Sequence, residues 1–126
     1  MANIETVRNW SGAQTLLGKR DHKTIGHNTI LWRNPIGDFY VTLHGHLIAH
    51  FNKDGSILYS NAGWPTVTTR NRLNQIGFAN VVFFQKKGVQ YVHVGPIGPN
   101  FWTEGETREL DRSVTLYDDG NGNARF

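Results

Sequence analysis

The chain has 126 residues, 38% of them hydrophobic and 18% charged, with a net charge of +3 and no cysteine. This length and composition are typical of one globular domain with a modest core. The lack of cysteine excludes disulfides and thiolate metal sites, and no apolar run approaches the roughly 20 residues of a membrane helix.

Short segments rich in β-branched and aromatic residues, separated by glycine-containing turns, predict a mainly β (α+β) protein. In chain order the predicted strands are 29–33, 38–44, 46–52, 56–60, 80–86, 89–94 and 113–117. About seven such strands would form one small antiparallel sheet, or a partly open barrel or sandwich. We predict a single domain, 1–126, with an N-terminal segment (1–27), a β-rich core (28–94) and a last part (95–126) containing a loop, the last strand and an acidic tail.

One stretch, "TVTTRNRLNQIGF" (66–78), departs from the β pattern. Thr68 or Thr69 stands where a helix N-cap is expected, and Leu73 and Ile76 share one helical face. Gly77 then supplies a stop. We predict one short helix near 69–76, and a second around 11–19.

Three histidines, His44, His46 and His50, lie close together in "VTLHGHLIAHF" (41–51). In one continuous strand all three would share a face, and His44 and His46 would be close enough, at ~7 Å, to share a zinc ion. That strand would have about 14 residues, far above the usual length, so we favour a hairpin with Gly45 and His46 as its turn. This hairpin pairs Leu43 with Ile48, points His44 and His50 to opposite faces, and predicts no metal and no cofactor.

The segment "GWPTVTTRNRLNQ" (63–75) is the best candidate for a binding site. Its hydroxyls and guanidinium groups would converge on a helix N-terminus, which attracts anions, and Arg72 is the most plausible phosphate clamp. The alternative is that Thr69 is an ordinary cap, Trp64 packs in the core and the polar groups face solvent. The predicted ligand-binding residues are Trp64, Thr66, Thr68, Thr69, Arg70, Arg72 and Asn74, together with Trp32 and His44.

Aromatic and basic residues also alternate elsewhere, in Trp32-Arg33 and in "FFQKK" (83–87). On a sheet surface such rings can stack on bases while lysines follow phosphates, although most of them are needed in the core. Residues 1–103 contain ten Lys/Arg and four Asp/Glu, a net charge of +6. This excess suggests an anionic partner, unless it only keeps the surface soluble.

The chain contains no G-x-S-x-G, P-loop, H-E-x-x-H or G-x-G-x-x-G motif. These motifs supply nucleophiles, phosphate cradles and zinc ligands in many enzymes. We therefore predict a non-catalytic protein and assign no catalytic residue.

The middle of the chain, about 27–92, resembles a family of short tailed-bacteriophage proteins with the motif "GW-x-T-x-TT-x-x-R-[LI]-N". The matching residues are Asn28, Thr29, Leu43, His44, Ile48, Asp54, Gly55, Gly63, Trp64, Thr66, Thr68, Thr69, Arg72, Leu73 and Asn74. The resemblance implies a phage origin and action in the host bacterial cytoplasm. It implies no known activity.

These observations lead to three hypotheses. The first is a phage accessory protein that binds nucleic acid or a nucleotide, such as a host defence signal. The second is an inhibitor of a host protein that binds through exposed aromatic residues. The third is a metal-dependent hydrolase that uses His44 and His46. Exposed strand edges would also allow a homo-oligomer.

Overall fold

The computed structural model describes residues 5–126. Within this range the chain forms two short helices, α1 (Trp10–Leu17) and α2 (Val67–Leu73), and ten strands. The strands are β1 (His22–Gly26), β2 (Thr29–Arg33), β3 (Phe39–Leu43), β4 (His46–Phe51), β5 (Ile57–Ser60), β6 (Val81–Lys86), β7 (Val89–Val94), β8 (Glu106–Glu109), β9 (Ser113–Asp118) and β10 (Ala124–Arg125).

The strands form two antiparallel sheets that do not close into a barrel. A seven-stranded sheet has the order β1-β2-β3-β4-β5-β9-β10, and a three-stranded sheet has the order β6-β7-β8. The prediction of a mainly β fold is confirmed, with ten strands in the described residues rather than about seven. The larger sheet takes strands from all three predicted parts of the chain.

Side-chain alternation gives the larger sheet a buried inner face and an outer face. Leu31, Val41 and Ala49 lie in register on β2, β3 and β4 and are completely buried. Their chain neighbours Trp32 and Tyr40 point to the other side, since successive side chains of a strand alternate. A single buried cluster of side chains joins the inner face to both helices and to the smaller sheet.

The predicted hairpin around the histidines is present, but its register was wrong. Leu43 pairs with His46, so the turn residues are His44 and Gly45. Both have positive φ, 51° and 81°, as in a type I′ turn, which matches the twist of the flanking strands. A bulge at Ile48 then shifts the pairing, and His50 lies opposite Tyr40.

Helix α2 begins earlier than predicted. Its N-cap is Thr66, not Thr68 or Thr69, because Thr66 is extended (φ −91°, ψ 166°) and its side chain accepts the Thr69 backbone N–H. Leu73 and Ile76 are both buried, as the periodicity predicts. Helix α1, expected around 11–19, spans Trp10–Leu17 with Asn9 as N-cap. No helix among residues 5–126 is long and apolar enough to span a bilayer.

The hydroxyl group of Tyr59 connects strand β5 to the turn that follows α2. It donates to the Ile76 carbonyl at 3.1 Å and accepts the Phe78 N–H at 2.9 Å. Complete burial raises the pKa of Tyr59, so the hydroxyl keeps its proton. A Cβ on Gly77, which has a φ of 77°, would clash with this hydroxyl. Glycine is thus required at 77 by both backbone and space.

Replacing Tyr59 with phenylalanine should lower the free energy of unfolding by about 1–3 kcal/mol, because the buried Phe78 N–H would lose its acceptor. Urea denaturation of both proteins measures this difference. Tyr117→Phe is the matched control, since Tyr117 is 43% exposed, and should stay within about 0.5 kcal/mol of the wild type. Equal stabilities for all three proteins would contradict the role given to Tyr59.

Candidate ligand pocket

A pocket of about 420 Å³ lies between the β3–β4 hairpin, the loop after β5 and the first turn of α2. Its volume falls within the roughly 300–1,000 Å³ of small-molecule sites. The lining residues are Leu43, His44, His46, Ile48, Asn61, Ala62, Trp64, Thr66, Thr68 and Thr69. None of these described residues is acidic, so the wall itself carries no charge that would repel an anion.

The loop from Ser60 to Thr66 has its shape because its own polar groups hold it. The Ser60 hydroxyl accepts the Ala62 N–H at 3.0 Å, and the Trp64 N–H donates to the Asn61 carbonyl at 2.8 Å. Ala62 and Gly63 both have positive φ, 57° and 78°. This tight reversal leaves Trp64 at the rim of the pocket instead of in the core.

Trp64 forms an aromatic wall of the pocket. Its side chain is 58% exposed, and its ring centroid lies 5.7 Å from that of His46, with 38° between the ring planes. This exposed indole offers a π face to a planar ligand.

The threonines provide hydroxyl groups on the opposite side of the pocket from the hairpin. Thr66 and Thr69 are hydrogen-bonded to each other at 3.0 Å, and Thr66 also caps the helix. Thr68 is exposed. The hydroxyls of Thr66 and Thr69 are therefore mostly committed to the helix end, and Thr68 is the one with the most freedom to contact a ligand.

Five of the nine predicted ligand-binding residues line this pocket: His44, Trp64, Thr66, Thr68 and Thr69. The other four, Arg70, Arg72, Asn74 and Trp32, lie elsewhere and have contacts of their own. The structure thus brings together the residues at the start of the motif and separates them from those at its end.

The two arginines connect α2 to other parts of the fold. Arg70 donates to the Gln85 and Gln90 side chains, at 2.9 and 3.1 Å, and thereby joins α2 to the smaller sheet. Arg72 is 4% exposed and donates to Gln75 and to the His27 carbonyl. Neither guanidinium lines the pocket, so the structure gives the predicted phosphate clamp at Arg72 no place in it.

Asn74 and Trp32 also have structural partners. The Asn74 amide donates to the Phe83 carbonyl at 2.9 Å and accepts the Phe83 N–H at 2.7 Å, as a paired strand residue would. Trp32 lies on the outer face of the larger sheet, where its indole N–H donates to Thr42. Leu43 of the pocket belongs to the inner face, so Trp32 and Trp64 cannot contact one ligand together.

Arg112 is a basic residue beside the pocket that the sequence analysis did not single out. A Cβ on Gly63 would lie 3.7 Å from Nη1 of Arg112, and both neighbours of Gly63 line the pocket. The Arg112 side chain is exposed and forms no hydrogen bond or ion pair within residues 5–126. Arg112 lies near the pocket because β5 pairs with β9, which places Ser60 opposite Ser113. No local pattern in the sequence reveals this pairing.

The histidines do not gather into a metal centre. Among residues 5–126 there is no group of three or more His, Asp or Glu side chains that would hold a metal ion. His44 lies in the hairpin turn and His46 against Trp64, whereas His50 is on the outer face, 3.3 Å from Asp38.

The different environments of two arginines yield a stability prediction. Arg72→Ala should lower the free energy of unfolding by about 2–4 kcal/mol, since it removes buried charge-assisted hydrogen bonds and the packing of the side chain. Arg112→Ala should change it by less than about 0.5 kcal/mol. Thermal and urea denaturation test both, and the reverse order of effects would contradict these assignments.

Comparison with known proteins places the chain in a family. The family model described as Kyanoviridae Gp96 protein matches residues 2–115 of the 126. No curated protein and no solved structure gives a significant match. The match spans nearly the whole chain, including every residue that lines the pocket. The chain therefore belongs to the Kyanoviridae Gp96 protein family of bacteriophages.

Proposed function

We propose that this phage protein binds a nucleotide, without catalysis, in the pocket between the β3–β4 hairpin and α2. The observation that carries the proposal is the exposed Trp64 indole, which lines a pocket of about 420 Å³. Arg112 lies beside the rim of this pocket. An aromatic face that can stack on a base and a nearby cation that can contact a phosphate are two features used in nucleotide recognition.

Trp64 is the residue proposed to stack on the base. Stacking of a base on an aromatic side chain contributes about 1–3 kcal/mol and tolerates any base, because every base has a π face. The His46 ring supports the indole from one side. The half-exposed ring is therefore held in place before the ligand arrives, which lowers the entropic cost of binding.

Arg112 replaces Arg72 as the residue proposed to contact the phosphate. Its guanidinium has no partner within residues 5–126, so it can form a charge-assisted contact at no cost to the fold. His44, His46 and Thr68 would add hydrogen-bond donors, and residues 1–103 carry a net charge of +6.

The motif also supports a site common to the family. Gly63, Trp64, Thr66, Thr68 and Thr69 are motif positions, and four of them line the pocket. We propose that the motif encodes this pocket, and that the ligand is a free nucleotide in the host bacterial cytoplasm, including one made as a defence signal. An unpaired base of a nucleic acid offers the same chemistry and is a separate outcome of the binding test.

Tryptophan fluorescence and calorimetric titration with ribonucleoside monophosphates test the proposal. Trp64→Ala should weaken binding about tenfold to a hundredfold, from the loss of stacking. Trp102→Ala is the control, since Trp102 is as exposed (57%) but lies outside the pocket. Arg112→Ala should weaken binding of nucleotides but not of nucleosides. Absence of binding by every nucleotide and by short single-stranded oligonucleotides would contradict the proposal.

The second candidate function is inhibition of a host protein. It rests on Trp102 and Ile97, which are 57% and 68% exposed, and on the contact of Trp102 with Phe84 of the smaller sheet. Both exposed apolar residues lie in the segment between β7 and β8, which contributes no residue to the pocket wall. In this case the host protein would bind to this segment and not to the pocket.

Salt dependence separates the two candidate functions. Binding through phosphate should weaken as salt rises, because screening acts on the Arg112 contact, whereas an apolar interface should respond little. Capture of host proteins from a lysate by wild type and by Trp102→Ala, at low and at high salt (about 50 and about 500 mM), measures this difference. A host protein that the wild type captures at both salt concentrations, and that Trp102→Ala does not capture, would favour the inhibitor function.

A further inference from the structure

Asn61 is a buried residue in the wall of the pocket. It is 4% exposed and lines the cavity. Both of its backbone groups are used, since its N–H donates to the Arg112 carbonyl at 2.9 Å and its carbonyl accepts the Trp64 N–H at 2.8 Å. The residue is therefore fixed by the fold, and its side chain has little freedom to move.

The orientation of the Asn61 amide is set by chemistry. Its Oδ1 accepts the Gly63 N–H at 2.9 Å, and an NH₂ group cannot accept that hydrogen bond, so oxygen and nitrogen cannot be exchanged. The Nδ2 group must then point away from Gly63. Within residues 5–126 Nδ2 has no hydrogen-bond partner, and it is not completely enclosed by protein.

Asn61 is buried as a residue, but its Nδ2 keeps some accessible surface, and a polar group in such a position is normally satisfied by water or by a ligand. Asn61 belongs to the pocket wall, so the group that satisfies Nδ2 enters through the pocket. The side-chain partner of Asn61 is Gly63 in the same loop, and its backbone partners are Trp64 in the loop and Arg112 before β9. The donor is thus presented in advance and does not depend on a ligand for its position.

We propose that Asn61 selects the base of the nucleotide, an inference that rests on the proposed function. A ring stacked on Trp64 would present its edge to Nδ2, which donates and cannot accept. Guanine, hypoxanthine and uracil present a carbonyl oxygen at the position where adenine and cytosine present an amino group. The site therefore prefers keto bases and disfavours amino bases, while Arg112 contacts the phosphate.

Nucleosides are the appropriate probes, because they carry no phosphate and isolate recognition of the base. The wild type should bind inosine and uridine roughly tenfold or more tightly than adenosine and cytidine. Asn61→Asp keeps an oxygen for the Gly63 N–H and places an acceptor where the NH₂ group was. This variant should reverse the preference in favour of adenosine and cytidine.

Asn61→Ser provides a second variant, since a serine hydroxyl can accept the N–H two residues on. It removes the donor without adding a charge and should abolish the preference in either direction. Thermal denaturation of both unliganded variants checks that they are folded. Asn121→Asp, at an exposed asparagine outside the pocket, is the matched control and should keep the wild-type preference.

The outcomes distinguish the two levels of the proposal. Equal binding of all four nucleosides by the wild type, or an unchanged keto preference in both Asn61 variants, would overturn the role of Asn61 and leave nucleotide binding intact. A wild-type preference for adenosine would overturn it as well. Absence of binding by any nucleoside or nucleotide would overturn the proposed function itself, and with it the inference.

Discussion

The hydrogen bonds of the buried Tyr59 hydroxyl determine where the candidate site lies. Tyr59 is near the end of β5, and the chain leaves it to form the pocket loop and α2 before residues 76–78 return to its hydroxyl. The segment that contains Trp64 and the threonines therefore begins next to Tyr59 and ends at the residues that are hydrogen-bonded to the Tyr59 hydroxyl. The Tyr59 ring also packs on Phe83 of the smaller sheet, with 4.9 Å between the ring centroids. One residue therefore links the larger sheet, the helix and the smaller sheet.

The pocket combines local and long-range constraints. The turn through Ala62 and Gly63 exposes Trp64, and the type I′ turn at His44 and Gly45 carries two histidines to the facing wall. The pairing of β5 with β9 adds Arg112 from a distant part of the chain. A rigid scaffold that presents side chains on short loops is the usual arrangement of binding sites. The loop is held by its own hydrogen bonds, and within the described residues the amide nitrogen of Asn61 has no hydrogen-bond partner.

Sequence patterns predicted the elements whose signal is local. Strands β2 and β7 match the predicted bounds, because Thr29–Arg33 and Val89–Val94 are rich in β-branched and aromatic residues between clear turns. Strands β1, β8 and β10 were missed, since His22–Gly26 and Glu106–Glu109 are polar edge strands and β10 has two residues. In the site, Trp64 and the threonines were found from one motif. Burial of Arg72, proximity of Arg112 and the amide geometry of Asn61 depend on tertiary contacts, which residue type and spacing do not encode.

The most direct test of the central claim is a two-dimensional amide NMR titration of the protein with guanosine monophosphate. The account predicts saturable changes at residues 43–48 and 61–69 and at the indole N–H of Trp64, with a further change at Arg112 and none in the aromatic loop around Trp102. Changes centred on the smaller sheet and Trp102, or a spectrum unaltered at saturating nucleotide, would contradict it.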